Sequence, residues 1–162
     1  MASNPIRLVL DTNVVLAGLV SKSSASQKVV DSLQSRKAIP LLSPPVLSEY
    51  RTILLHPGIV ARFPLLTPRR VELALRRLRY IGDEYRTIRA KFEFQRDPRD
   101  AMFIELAIEG EATHLVTMDP DLLSLPAART DAGKRFRQRL GALTVQTPQA
   151  FIQEWASTFG LH

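Results

Sequence analysis

Carboxylates stand where apolar segments of this chain run out. Asp11 closes RLVLD, Glu49 sits in SPPVLSEY, Asp97 and Asp100 open DPRDAMFIELAIEG, and Asp119 and Asp121 follow HLVTM. If the fold gathers these acids, they repel one another, and some must take up protons at neutral pH. A divalent cation removes that difficulty. With no cysteine in the chain and three scattered histidines (His56, His114, His162), an oxygen-only ligand set points to Mg²⁺ or Mn²⁺ rather than zinc. One such ion lowers the pKa of an attacking water, and a second ~3.5–4 Å away would stabilise the leaving oxygen. The chemistry expected of such a cluster is metal-assisted hydrolysis of a phosphodiester.

The elements that must position these acids follow from local pattern. IRLVL (6–10), AIPLL (38–42), HLVTM (114–118) and LTVQ (143–146) read as short buried strands. A helical pattern starts near Ser24, with Ala25, Val29, Val30 and Leu33 on one face. Ser43-Pro44, Thr67-Pro68, Asp97-Pro98 and Thr147-Pro148 each pair a capping residue with proline at the first helical position, and Pro120 opens a further short helix. His56-Pro57-Gly58 breaks the helix that starts at Pro44. Strands alternating with helices predict an α/β fold in three layers, its central, mostly parallel sheet of about four or five strands flanked by helices. Such sheets gather function at the carboxyl ends of their strands. Asp11 and Asp119 should share that edge, and lie close if their strands are neighbours.

Each acid also has a simpler role. Asp97 reads best as a helix cap. Asp100, as the third residue of its helix, can complete a capping box, and Asp119 and Asp121 can serve the Pro120 start. Asp11-Thr12-Asn13 can be a polar turn, with Asn13 bonding local backbone. Glu49 shares an apolar face with Val46 and Ile53, so it needs a partner, for which Arg51 or another arginine would serve. These roles do not explain why so many acids fall on elements that the fold brings to one edge.

The 162 residues suit a single domain over 1–162, its core at about 6–156, with a basic insertion at about 124–141. No apolar run approaches the ~18–20 residues needed to span a bilayer. MASNPIR lacks the features of a signal peptide, and the absence of cysteine fits a reducing cytoplasm. Net charge is +6 and unevenly spread. Residues 69–91 hold Arg69, Arg70, Arg76, Arg77, Arg79, Arg86, Arg89 and Lys91 against Glu72, Asp83 and Glu84, and a second run, Arg129 to Arg139, adds Lys134, Arg135 and Arg137. A single run is ordinarily a solvated helix face. Two runs beside an acidic constellation point to a polyanionic partner.

LVLDTNVVLAGL, SPPVLSEY, DPRDAMFIELAIEGEATHLVTMDPDLL and TPQAFIQEW resemble, in order, the blocks of the PIN domain, in the branch of VapC-like toxin components. The resemblance runs from about Leu8 to Trp155. It implies a Mg²⁺/Mn²⁺-dependent ribonuclease, commonly dimeric, with Asp11, Glu49, Asp100 and Asp119 as the acidic site. Asn13 and Thr117 would orient carboxylates or water, and Asp97 and Asp121 would be outer members. In toxin–antitoxin pairs the partner is a small antitoxin. Two positions depart from the branch: Met118 stands where glycine is frequent, and Ala101 where a second polar or acidic residue is frequent.

The combined expectation is an endoribonuclease that holds Mg²⁺ or Mn²⁺ through Asp11, Glu49, Asp100 and Asp119. RNA would lie along Arg76, Arg77, Arg79, Lys134, Arg135 and Arg137. One alternative is a catalytically silent module that binds RNA or a partner. Another is an aspartate-based phosphatase or phosphotransferase, but such phosphatases favour a second aspartate two residues after the first, where this chain has Asn13.

Overall fold

In the computed structural model, which describes residues 4–160, the apolar run Ile6–Leu10 forms β1, the middle strand of the sheet. Leu8, Val9 and Leu10 are buried, as a strand covered on both faces requires. β2 (Ala38–Leu42), β3 (Asp83–Glu84), β4 (His114–Val116) and β5 (Thr144–Gln146) complete a five-stranded sheet in the order β3-β2-β1-β4-β5. Every pairing is parallel, with Leu8 opposite His114 and Leu10 opposite Val116 across β1 and β4. The α/β expectation thus holds, and β1 and β4 are neighbours.

The helices are α1 (Thr12–Val20), α2 (Ala25–Ser32), α3 (Pro44–Leu54), α4 (Pro57–Arg62), α5 (Pro68–Ile81), α6 (Ala101–Glu109), α7 (Pro120–Ser124), α8 (Asp131–Leu140) and α9 (Pro148–Phe159). Right-handed crossovers put α1, α2 and α5 on the face reached while the chain steps from β1 outward to β3. The chain then reverses, so α6 and α8 cover the other face. α9 returns to pack on α2. Gly18 lets α1 approach α2 closely, since a Cβ there would lie 2.6 Å from Val30. Ser43, Thr67 and Thr147 cap α3, α5 and α9 by accepting the amides of Val46, Arg70 and Ala150. No helix among the described residues is long and apolar enough to cross a membrane.

Several local expectations are corrected. Asp11-Thr12-Asn13 is the start of α1 rather than an isolated turn. His56-Pro57-Gly58 ends α3 but also starts α4, with His56 Nδ1 accepting the Gly58 amide. Asp97 holds a turn through the Arg99 amide, so α6 begins later, at Ala101. The strand that follows ends at Val116, two residues short of Met118. Besides α1 and α4, two further elements were not expected. β3 is only two residues long, and α8 lies inside the basic insertion. His114 is buried beside Phe151, its Nε2 3.2 Å from Glu154; His162 lies outside the described residues.

Between β3 and α6 the chain crosses residues 85–97 without helix or strand. Phe92 and Phe94 anchor this strap in the core. Its backbone is satisfied by side chains instead of a ladder. Glu109 Oε2 accepts the amides of Arg89 and Ala90, and Glu105 Oε1 accepts that of Phe92. From the other side, Arg139 donates to the Lys91 carbonyl and Arg135 to that of Glu93. Carboxylates four apart on α6 and guanidinium groups four apart on α8 thus clamp one stretch of chain, which ends at Asp97.

Candidate metal centre

The carboxyl edge of β1 and β4 is where the acids meet. The β1–β4 ladder continues one step past the strands, as the Asp11 amide donates to the Val116 carbonyl at 3.0 Å. The Thr117 amide likewise donates to the Gln146 carbonyl of β5. Asp11, Asp100 and Asp119 then occupy the N-cap positions of α1, α6 and α7. For Asp11 and Asp119, whose side chains accept the Thr12 and Asp121 amides, the capping role and the shared edge are one arrangement, whereas Asp100, expected to complete a capping box, makes no side-chain cap bond. Three helix starts converge, and their unpaired amides and dipoles ease the gathering of negative charge.

Carboxylate oxygens of Asp97, Asp100 and Asp119 all lie within 4.8 Å of one another. Asp11 stands outside this triad but close enough for its charge to act on Asp100. Its own carboxylate is fixed at both oxygens: Oδ1 accepts the Thr12 amide at 2.7 Å, and Oδ2 accepts the Thr117 hydroxyl at 2.7 Å. The Thr117 oxygen also accepts the Asp119 amide at 2.9 Å, and Asp119 Oδ1 accepts the Asp121 amide at 2.9 Å. Thr117 is fully buried and ties the two strand-end acids together.

Charge is crowded here. Burial raises the pKa of Asp11, against the hydrogen bonds from Thr117 and Thr12 that lower it. Asp100 is pushed up to about 8, first by burial and then by a hydrogen bond to Asp119 that only its protonated form can make. The charges of Asp11, Asp97 and Asp119 act in the same direction. Two buried side-chain oxygens lack any hydrogen-bond partner among the described residues, Asp100 Oδ2 and Thr12 Oγ1, and both belong to these strand-end and helix-start segments. Leaving such atoms unpaired is costly. An all-oxygen donor set with mutual repulsion and an orphaned carboxylate oxygen fits a divalent cation.

A model of the PIN domain matches residues 7–121, most of the chain. The chain belongs to the PIN domain family. The family is one of nucleases that use divalent metal ions, in keeping with the acidic group. The chain is also similar to the uncharacterized protein MJ1680 of Methanocaldococcus jannaschii, at 28% identity over 165 residues, covering 93% of this chain and 92% of that protein. Neither match singles out the toxin branch.

The remaining candidates of this PIN domain fall in different places. Glu49 is half-buried on α3 and lies outside the triad. Arg51 is not its partner, being engaged bidentately with Glu72 at 2.8 and 3.2 Å. Asn13 is exposed in the first turn of α1, and its side chain makes no hydrogen bond among the described residues. Asp97, read best as a cap, both holds its turn and joins the triad. Asp121 pairs with Arg96 at 3.0 Å. Met118 is exposed, and Ala101 is the first residue of α6.

The basic residues divide. Arg76, Arg77 and Arg79 all lie on α5, where Arg79 pairs with Glu84 of β3. Arg135 and Arg137 are engaged in holding the fold, Arg135 on the strap and Arg137 on the carbonyls of Pro126 and Ala128. Lys134 is exposed on α8. One residue that the sequence reading passed over supports the site. Tyr50, next to Glu49, is buried and donates its hydroxyl to the Leu10 carbonyl at 2.6 Å, fixing the strand end from which Asp11 emerges. Its signal was a tyrosine on the apolar stripe of α3, which ordinarily means core.

Proposed function

We propose that this PIN domain is a Mg²⁺- or Mn²⁺-dependent endoribonuclease. The observation that carries the reading is the Asp97, Asp100 and Asp119 triad, with its orphaned Asp100 oxygen, beside a doubly held Asp11. Asp11, Asp100 and Asp119 would hold the cation, Asp97 would stand beside it, and Glu49 would complete the site as a ligand or by orienting water. When bound, the cation neutralises the carboxylates, lowers the pKa of a water and screens the phosphate.

The chain's own groups do the positioning. Thr117 holds Asp11 and Asp119 in one frame. The Asp121 amide fixes the Asp119 carboxylate, and Tyr50 pins the end of β1. Asn13, exposed in the first turn of α1, would hydrogen-bond substrate or water. The net charge of +6 supports a polyanionic substrate.

The matched blocks support the finer reading: a cytoplasmic toxin component, homodimeric, paired with a small antitoxin. The reading is tested on single-stranded RNA with either metal. Cleavage should leave 5′-phosphate and 3′-hydroxyl ends. Cyclic 2′,3′-phosphate ends would identify attack by the RNA's own hydroxyl and contradict water activation at the acids.

A further inference from the structure

Beside the metal centre, the strap and the chain from α7 into α8 enclose a cleft of about 960 Å³. Its floor is apolar, with Phe94, Leu125 and Ala128. Its two walls continue into the acids. Arg96 on one wall precedes Asp97, and the amide of Asp121 on the other holds Asp119 Oδ1. The Arg96–Asp121 ion pair, 3.0 Å long and exposed, bridges the walls at that end.

Resting on the nuclease reading above, we propose that this cleft receives the nucleobase of the RNA residue next to the scissile phosphate. The volume falls in the range of small-molecule sites, ample for a base and its ribose. The charge pattern decides between base and backbone. A phosphate track carries excess cations. Here Arg96, Arg129 and Arg135 are balanced by Glu93, Asp121 and Asp131. A base edge, with donors and acceptors side by side over an apolar face, suits such a rim.

Arg135 is occupied with the Glu93 carbonyl and holds the wall. Arg129 makes no hydrogen bond or ion pair among the described residues, and an exposed pair such as Arg96–Asp121 is weak enough to open for substrate. The structure thereby gives the basic insertion a purpose: it clamps the strap and builds the second wall of a base subsite.

The test compares the full chain with Ala127→Trp on a labelled single-stranded RNA, read by anisotropy in Ca²⁺ and by cleavage in Mn²⁺. Ala127 is exposed and lines the cleft, so tryptophan fills the space without disturbing the core. RNA affinity should fall roughly tenfold, the scale of one lost base-stacking contact, with Mn²⁺ affinity unchanged. Removing the base of one nucleotide beside the cut should cost the wild type a similar factor and the variant little. A variant that binds and cuts as the wild type does, with the abasic penalty intact, overturns the cleft and leaves the nuclease standing. A wild type that never cuts, yet loses RNA binding on Ala127→Trp, overturns the nuclease reading and leaves the cleft.

Discussion

Thr117 donates its hydroxyl to Asp11 Oδ2 at 2.7 Å while its oxygen accepts the amide of Asp119 at 2.9 Å. One buried hydroxyl thus sets the geometry of acids 108 positions apart in sequence, at the ends of neighbouring strands. Strand propensity alone would explain a threonine in HLVTM; it was the PIN resemblance that implied a carboxylate-orienting role for Thr117.

Thr117→Val keeps the shape and removes both bonds. It should weaken Mn²⁺ binding and cleavage about 10–100-fold, as loss of a ligand-orienting partner does. The fold should lose about 1–3 kcal/mol, because a buried amide and a carboxylate oxygen lose their partner. Thr117→Ser should retain most of both. Denaturant unfolding and isothermal titration with Mn²⁺ would check this, and a Thr117→Val chain with wild-type metal affinity would contradict it.

Metal-free stability should depend on pH in an unusual direction at this site. The folded-state pKa of Asp100 is raised to about 8 from an ordinary 3.8. Between those values the folded chain keeps a proton that the unfolded chain has lost, so stability falls as pH rises through the window. In EDTA, the wild type should lose melting temperature from pH 5 to pH 9 relative to Asp100→Asn, which cannot ionise. Mn²⁺ binding at pH 7 should release a proton, measurable as a buffer-dependent binding enthalpy. Parallel melting curves for the two proteins across that range would contradict the crowding of charge described here.

The strap should respond to its clamp. Glu109→Ala takes the shared acceptor from the amides of Arg89 and Ala90. Hydrogen exchange should accelerate across residues 89–97, and stability should drop by about 1 kcal/mol. Exchange confined to the mutated turn of α6, with the strap unchanged, would show that the strap does not depend on Glu109.

How much of this was legible in the sequence follows from the kind of signal each part leaves. Strands such as IRLVL and AIPLL, and helices announced by Ser43-Pro44 or Thr67-Pro68, carry their cause locally in apolar runs and caps. β3 could not be read, because Asp83 and Glu84 gain strand geometry only by pairing with Leu41 and Leu42. α1 was hidden because Asp11 serves as strand end and helix cap in consecutive residues. The gathering of Asp100 with Asp119 followed from topology. That Asp97 would join them depended on a strap held by side chains from α6 and α8, a relation with no sequence period. Arg135 and Arg137 read as surface charge because composition cannot distinguish a guanidinium facing solvent from one bonded to carbonyls.

The central claim, that the acids at the β1 and β4 ends hold a cation for phosphodiester hydrolysis, is tested most directly by one comparison. Wild type and Asp11→Asn are incubated with labelled single-stranded RNA in Mn²⁺, in Mg²⁺ and in EDTA. The account predicts cleavage by the wild type with metal alone, and none by a folded Asp11→Asn under any condition. Cleavage by Asp11→Asn at the wild-type rate, or by the wild type in EDTA, would contradict it.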